Sequence, residues 1–443
     1  TGRNEADAKA KAEQKTGKKV IQIKQDDDVL DTWFSSGLFP FSVMGWPKQT
    51  ADLKNFFPGS LLETGADILF FWVARMVMMS LELMGELPFK TVYLHPMVRD
   101  KEGEKMSKSS GNVIDPLDVM DGISLEELHN SLRTGNLAPS AVDKAIEGQK
   151  KAFPNGIAEC GADALRFGLL AYTNMAKHNS INLDIQVVVA VRQFGNKLWQ
   201  ATRFALLNFD EKFQKPTGLA QLESMMKSSP SLADRWIMHR LHLAIAAVDT
   251  AFKAYKMGDV TTAIRNFWLY DLCDVYLELI KPTVKLSENP TDAEIAARST
   301  ALSVLFTCLD FGLRLLHPVM PFITEELYHR LPGADIVGAG GRNECGSIAV
   351  AAYPAPPMTQ PFFDEKLDST MALLNDISHS ARSTRASLQL TKQRLTMYIM
   401  CGSEEVYQTV KDNAKDIAVM SNAAAAHALK AGDSIPSGCM TSV

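Results

Sequence analysis

Four long segments between residues 185 and 335 constrain this chain most, because each repeats its apolar residues every three to four positions. They run VRQFGNKLWQATRFALLNF, LADRWIMHRLHLAIAAVDTAFKAY, VTTAIRNFWLYDLCDVYLELIKP and AEIAARSTALSVLFTCLDFGLRLLHPVMPFITEELYHRL. A period near 3.6 lines those residues along one stripe of a helix, and the stripe must be buried against another element. Breaks containing Pro and Ser separate the segments and let the chain turn back on itself. The pattern predicts a helix bundle over 185–362, whose last part, from 336, is rich in Gly and Pro.

Upstream the pattern differs. Residues 1–16 predict a helix stopped by Gly17, and VIQIK (20–24) alternates like a short strand. Residues 64–84 predict a long helix, capped by Thr64 and apolar nearly all round. KTVYLHPMV then reads as a strand of a parallel sheet. Strand, helix and strand in that order give an α/β layer with a ligand crevice at the strand ends. This α/β region covers 25–114, after a leading segment 1–24. Short helices fill 115–184, and 363–443 reads as a small α+β region with strands RLTMYIM and AAAHALKA around a helical stretch.

Composition narrows the function classes. Of 443 residues, 46% are apolar and 22% charged, as in an ordinary folded protein with several cores. A formal net charge of -5 argues against a basic protein that coats nucleic acid, though local patches can still read one. The six cysteines are scattered without a CxxC pair, so a structural metal site is not expected. The apolar segment 67–85 carries Asp67, Arg75 and Glu82, which favours a buried helix over a membrane span.

The chemistry concentrates in a few places. GEKMSKSSGNVIDP (103–116) follows a strand and holds Lys105 and Lys108 around Met106 and Ser107. Two ammonium groups three residues apart can grip a polyphosphate; Ser107 and Ser109 can donate hydrogen bonds, and Gly111 permits close backbone approach. Neither GxxxxGK[ST] nor GxGxxG is present, and a solvated surface loop fits the same composition. Asp67, Ile68 and Trp72 fall at one end of the 64–84 helix, where a four-residue spacing puts Ile68 and Trp72 on one face. With Trp33 they make either core aromatics beside a helix-start carboxylate, or a small apolar pocket whose carboxylate meets an ammonium group. His95, at a strand's C-terminal end, is either a ligand contact or a structural histidine. In the bundle, Trp199, Arg203 and Arg240 belong to a set of aromatic and basic residues suited to core packing or to stacking on unpaired bases. His239 and His242 lack a third metal ligand at a credible spacing.

KMSKS, followed by GNVIDP and preceded by YLHPMVRDKEGE, resembles the second signature motif of class I aminoacyl-tRNA synthetases. QDDDVLDTWFSSGLFPFS, ETGADILFFWVARM, FPNGIAECGADALRFGL, NKLWQATRF and LLHPVMPFITEELY resemble the valyl branch of that family in particular. The resemblance implies the second half of a Rossmann-type catalytic domain, then an anticodon-binding bundle and the start of a C-terminal region. Residues 1–24 would close an inserted editing domain, and 115–184 would contact the tRNA stem. It implies ATP, with its Mg2+, as cosubstrate, and valine and tRNA(Val) as partners. Lys105 and Lys108 would stabilise the pyrophosphate leaving group, with Ser107 and Ser109 in support. Met106, His95, Gly111, Asn112 and Val113 would line the ATP site. Asp67 would meet the amino group of valine, and Trp33, Ile68 and Trp72 would wall its side chain. Trp199, Arg203 and Arg240 would contact tRNA. No membrane contact is implied; association with translation factors and a cytoplasmic location are, with the mitochondrion left open.

The family's first signature, a HIGH-like sequence, does not occur in these 443 residues, and most of the editing domain is absent too. The chain therefore reads as a fragment that needs the N-terminal half of the same enzyme and would not activate valine alone. A non-catalytic tRNA-binding role for the bundle stays open on the sequence. The run VVVAV at 187–191 also departs from the polar face expected at the start of a bundle helix.

Overall fold

A computed structural model describes residues 2–107, 112–135, 137, 139–174, 180–211, 213–333 and 346–440. Lys108, Ser109 and Gly111 lie outside the described residues. The chain divides into two units, Thr1–Met97 and Val98–Val443.

The first unit opens with α1 (Glu5–Thr16), where Asn4 caps the N-terminus and Gly17, at φ 68°, ends the helix in the left-handed region. VIQIK forms no strand. Its alternation has no neighbouring strand to pair with, and Ile21 is exposed. The helices α2 (Thr32–Ser42) and α3 (Ala51–Phe56) follow, then β1 (Gly59–Gly65). Thr64 is not a helix cap but the penultimate residue of β1, aligned with Leu94 of β2 (Phe89–His95) in a parallel pair. The predicted helix over 64–84 is three pieces: a 3-10 turn (Ala66–Ile68), a π-turn (Leu69–Val73) and α4 (Ala74–Met84). Phe41, Leu53 and Phe57 form this unit's small core with Trp46, Met79 and Met84.

In the second unit, β3 (Met97–Arg99) pairs with β4 (Ser180–Asn182). Between them come α5 (Pro116–Asp121), α6 (Leu125–Thr134), α7 (Pro139–Ala152) and α8 (Ala162–Tyr172). Ser124 and Glu127 cap α6 reciprocally, as the sequence SLEE encodes. Val119, Leu128, Ile157, Ile181 and Val188 share a core here.

The bundle follows as α9 (Ile185–Asn208), α10 (Leu219–Ser228), α11 (Leu232–Lys253), α12 (Met257–Asn266), α13 (Leu277–Val284), α14 (Asp292–Leu316) and α15 (Pro321–Arg330). A π-turn over Phe267–Tyr276 joins α12 to α13. The VVVAV run has a physical reason. Val188 is fully buried and Val187 and Val189 pack on the smaller core, while Val191 packs on both that core and the bundle core. After α16 (Pro356–Thr359) and α17 (Lys366–Ser387), the final module is β5 (Thr396–Cys401), α18 (Glu404–Asp412), α19 (Ala414–Met420) and β6 (Ala425–Lys430). Its two strands run parallel, with the helices as the crossover.

Asp234 is a buried acid of the bundle. The hydroxyl of Tyr276 is 2.7 Å from a carboxylate oxygen of Asp234 and 3.2 Å from the carbonyl oxygen of Ala301. Both partners are acceptors and the hydroxyl has one proton. The trio is satisfied when Asp234 is protonated and donates to Tyr276, which then donates to Ala301. Burial, reinforced by the charge of Asp416, pushes the Asp234 carboxyl up to about 7, and burial likewise raises the neighbouring thiol of Cys308.

The folded state thus holds a proton that the unfolded chain releases near pH 4, so this site's contribution to stability declines as pH rises from about 4 to about 7. Asp234→Asn keeps a donor to Tyr276 without that proton. Its stability relative to wild type is expected to rise with pH between 5 and 7, by up to about 1.4 kcal/mol per unit, in melting or urea curves. A difference that does not change with pH would show that Asp234 is charged in the folded state.

Candidate functional site

In the first unit Asp67 and His95 lie at the C-terminal ends of two parallel strands. Gly65 and His95 are register partners that end β1 and β2. The chain leaves Gly65 directly into the 3-10 turn, which places Asp67 two residues beyond the strand end. A Cβ on Gly65 would come within 2.8 Å of an Asp67 carboxylate oxygen and 2.9 Å of the Met97 sulfur, so a side chain there would displace both. Asp67 and Ile68 are exposed and Trp72 is half-buried.

Trp72 belongs to the π-turn and Ile68 to the 3-10 turn, so the α-helical spacing that paired them does not apply. Trp33 arrives on α2, where Asp31 caps the helix by accepting the Trp33 N–H at 2.9 Å. That helix packs on α4 and on the π-turn, and the Arg75 guanidinium covers the Trp33 ring at 4.4 Å. His95 sets Nε2 3.2 Å from Glu63 and Nδ1 3.1 Å from the Pro96 carbonyl oxygen. Glu63 was absent from the sequence-derived set, because placing it on the same face as Gly65 requires knowing that 59–65 is a strand.

The second unit holds the lysine loop, as far as it is described. Arg99 and Lys105 form an antiparallel bridge, so the loop leaves and returns as a narrow ladder. Lys105 is exposed, Met106 and Ser107 are half-buried, and Val113 is exposed. The Asn112 amide donates to Asp100 at 2.7 Å and to the Lys105 carbonyl at 3.3 Å, and it accepts the Ser107 N–H at 3.0 Å. Asp100 was likewise missed, because nothing in the sequence spacing links it to a residue twelve positions on.

In the bundle, Trp199 and Arg203 lie on the exposed face of α9, and Arg330 of α15 covers the Trp199 ring at 5.0 Å. Arg192, Asn196, Trp199 and Arg203 recur at i, i+4, i+7 and i+11 along that face. Arg192 and Asn196 went unnoticed in the sequence, although the same periodicity that located the helix would have found them. With Asp163, Phe322 and Met320 they line a cleft of about 450 Å³. Phe322 is 67% exposed, an unusual cost for a phenylalanine beside a guanidinium and an amide. Asp163 accepts the backbone N–H groups of Phe322 and Ile323 at 3.1 and 2.7 Å, capping α15 from a neighbouring helix.

Arg240 is differently placed. Its Nε lies 3.0 Å from Asp271 and its Nη1 3.2 Å from Asp368, and His239 sits 3.4 Å from the same Asp368 oxygen. His242 contacts the Thr359 hydroxyl at 3.0 Å. These groups tie α11 to the segment that follows the bundle. Among the described residues no three His, Cys, Asp or Glu side chains converge to hold a metal ion.

Comparison with known proteins matches residues 1–182 to the family of class I tRNA synthetases (I, L, M and V), and residues 234–399 to the anticodon-binding domain of tRNA ligases. The chain is 47% identical over 446 residues to a valine–tRNA ligase of Rattus norvegicus, covering 100% of this chain and 34% of that protein. It is 48% identical over 442 residues to a Homo sapiens valine–tRNA ligase, covering 99% and 33%. Against a mitochondrial valine–tRNA ligase of Mus musculus the identity is 41% over 439 residues, covering 99% and 39%. The chain thus spans about a third of the length of the curated relatives it matches. With a strand-end carboxylate, a lysine loop after a parallel strand and a helical bundle in the matching order, this chain belongs to the valyl-tRNA synthetase family of class I aminoacyl-tRNA synthetases.

Proposed function

We propose that this chain supplies part of the valine-activating site, and the anticodon-side tRNA surface, of a valine–tRNA ligase. The observation that carries the proposal is the position of Asp67: an exposed carboxylate at the C-terminal end of a parallel strand pair, in a chain aligned end to end with valine–tRNA ligases. In this reaction a carboxylate oxygen of valine attacks the α-phosphorus of ATP, which enters with its Mg2+, and pyrophosphate leaves. A hydroxyl of the terminal tRNA ribose then attacks the acyl carbon, and AMP leaves.

Each residue has a task of positioning or charge stabilisation. Asp67 pairs with the ammonium group of valine, while Trp33, Ile68 and Trp72 form the wall that meets its side chain. A wall of this kind separates valine from isoleucine by the extra methylene, about 1–3 kcal/mol, so near-isosteric threonine calls for a separate editing site. Lys105 and Lys108 meet the charge that grows on the departing pyrophosphate, and Ser107 and Ser109 support them. His95, Met106, Gly111, Asn112 and Val113 border the nucleotide.

The remaining part of the nucleotide fold belongs to a longer polypeptide. What supports this is the apolar surface of the first unit, where Phe70 is 78% exposed, Met78 67% and Phe71 55% beside a sheet of only two strands. The compartment we propose is the cytoplasm, shared with the non-mitochondrial relatives; mitochondrial enzymes of the same family align nearly as well.

For tRNA, the Arg192–Arg203 stripe of α9 and the cleft beside it carry the contact. Trp199 and Phe322 offer ring faces to unpaired bases, and the Arg203 guanidinium meets phosphate, whereas Arg192 donates to the Glu159 carbonyl. Arg240, with two nitrogens on carboxylates, acts by holding the bundle rather than by meeting phosphate.

Two measurements test the proposal. In the full-length polypeptide, Lys105→Ala and Lys108→Ala are each expected to slow valine-dependent ATP–pyrophosphate exchange at least about tenfold, equivalent to about 1.4 kcal/mol of barrier. Exchange at the wild-type rate would remove the lysines from the mechanism. In this chain, Trp199→Ala is expected to weaken binding of a tRNA(Val) anticodon stem-loop by about 1–3 kcal/mol with little change in salt dependence. Arg203→Ala should instead flatten the salt dependence by about one phosphate contact. Unaltered binding in both variants would place the RNA elsewhere.

A further inference from the structure

Four cations of the second unit converge on one cleft. Lys281 comes from α13, Arg382 from α17, Lys415 from α19, and Arg394 from the residues just before β5. The cleft has a volume of about 770 Å³ and lies where the bundle meets the final module. Two acids, Asp274 and Glu278, line it as well, and Glu278 is committed to Lys281 one turn on. Among the described residues Arg382 makes no hydrogen bond and no ion pair. Lys415 lies in the field of Glu294 and Asp416 but bonds to neither. Like charges brought together without partners repel one another, and an anion relieves that repulsion.

Arg394 is held by the fold rather than left on a loose loop. Its Nε donates to the side-chain oxygen of Asn422 at 3.0 Å, which leaves both terminal nitrogens unused among the described residues. Asn422 sits at φ 51°, in the left-handed region that asparagine tolerates. Arg385, one turn beyond Arg382 on α17, secures that turn. Its Nη1 donates to the carbonyls of Ser421 and Asn422 at 2.6 and 3.0 Å. Its Nη2 donates to the carbonyls of Thr391 and Gln393 at 2.9 and 2.7 Å, in the loop that leads to Arg394. One guanidinium thus fixes both the loop that carries Arg394 and the turn that carries its partner. The donors of Arg394 are set before any ligand arrives, which lowers the entropy lost on binding.

We propose that this cleft is a binding site for phosphate groups, with Arg382, Arg394 and Lys415 as its contacts and Asn422 as the residue that orients Arg394. A planar carboxylate matches one guanidinium fork. A tetrahedral phosphate can meet donors that arrive from three elements in different directions. The volume exceeds that of a single phosphate, so consecutive phosphates fit, from a polynucleotide backbone or from a free polyphosphate. The cleft shares no residue with the α9 surface or with the lysine loop.

The test is calorimetric titration of this chain with inorganic tripolyphosphate at low salt. Lys105→Ala and Lys108→Ala form the background, so that the lysine loop does not compete. Arg394→Ala and Arg382→Ala are each expected to weaken binding at least about tenfold, the usual scale for a hydrogen bond between charged groups. Arg382 is exposed and bonds to nothing in the described fold, so its loss does not endanger folding. Asn422→Gly keeps the left-handed turn but frees Arg394, and should weaken binding about threefold. Lys392→Ala removes an exposed cation two residues from Arg394 but outside the cleft, and should change affinity less than about twofold.

A single-stranded oligouridylate of about eight nucleotides separates the two sources. Displacement of tripolyphosphate by the oligonucleotide assigns the site to a polynucleotide backbone. Retention of tripolyphosphate assigns it to free polyphosphate, and either result supports the proposal. Absence of tripolyphosphate binding overturns it, as does wild-type affinity in both Arg382→Ala and Arg394→Ala. A loss in Lys392→Ala equal to that in Arg394→Ala also overturns it, because the attraction would then be diffuse charge rather than a site.

Discussion

The second unit is organised by a helix that has no exposed face over its last seventeen residues. Every residue of α14 from Thr300 to Leu316 is buried, so this helix must be enclosed on all sides. It is long and apolar enough to cross a membrane by composition, but here its walls are α9, α10, α11, α13 and α15. Close packing decides details: a Cβ on Gly312 would come within 2.8 Å of the Trp268 ring, whose indole N–H donates to the Gly312 carbonyl at 3.3 Å. The two buried charges on this helix are paired with each other. Asp310 and Arg314 form an ion pair one turn apart, and Arg314 also donates to the Ala352 carbonyl at 2.9 Å. Removing either partner would strand a buried charge, which makes this pair costly to break whatever its net contribution.

From that centre, order passes outward to the proposed tRNA-binding surface through backbone groups. Arg166 of α8 donates to the carbonyls of Pro318 and Val319, in the turn between α14 and α15. Asp163, one turn earlier on the same helix, accepts two N–H groups at the start of α15. The otherwise orphaned groups at the two helix ends are thus satisfied by one neighbouring helix. The cleft holding Trp199 and Phe322 is bounded by the elements so joined, and therefore keeps its shape through hydrogen bonds as well as packing.

Much of this was legible in the sequence, for reasons that differ by element. The bundle helices announce themselves because burial imposes a period, and α6 because Ser124 and Glu127 meet only across a helical first turn. The first β-strand of the candidate site was not legible. GSLLETG lacks alternation, and its parallel partner lies thirty residues away, so no local signal distinguishes it from a helix start. The π-turn over Leu69–Val73 was equally hidden, since LFFWV satisfies α-helical and π-helical spacing alike. VVVAV looked anomalous against a single core and is explained by two. Among the candidate residues, those defined by type could be found from the sequence, as with Asp67 and Lys105. Those defined by reach, Asp100 and Glu63, could not.

A chain of net charge -5 that is proposed to meet RNA must spend its cations selectively. Arg240, Arg298 and Arg314 are committed to carboxylates or carbonyls within the fold. Arg166 and Arg385 likewise donate to backbone carbonyls that helix ends and turns leave open. Such arginines stabilise the fold through their planar, multiple donors, a task lysine performs poorly. Arg192 of α9 is committed in the same way, to the Glu159 carbonyl, so what the α9 face presents is the Arg203 guanidinium beside the Trp199 ring rather than a broad basic field. A surface of this kind neutralises few phosphates, so it contributes little sequence-independent attraction. Affinity at such a surface then depends on ring stacking and on shape. Both require the RNA to offer unstacked bases, as a loop does and a duplex does not.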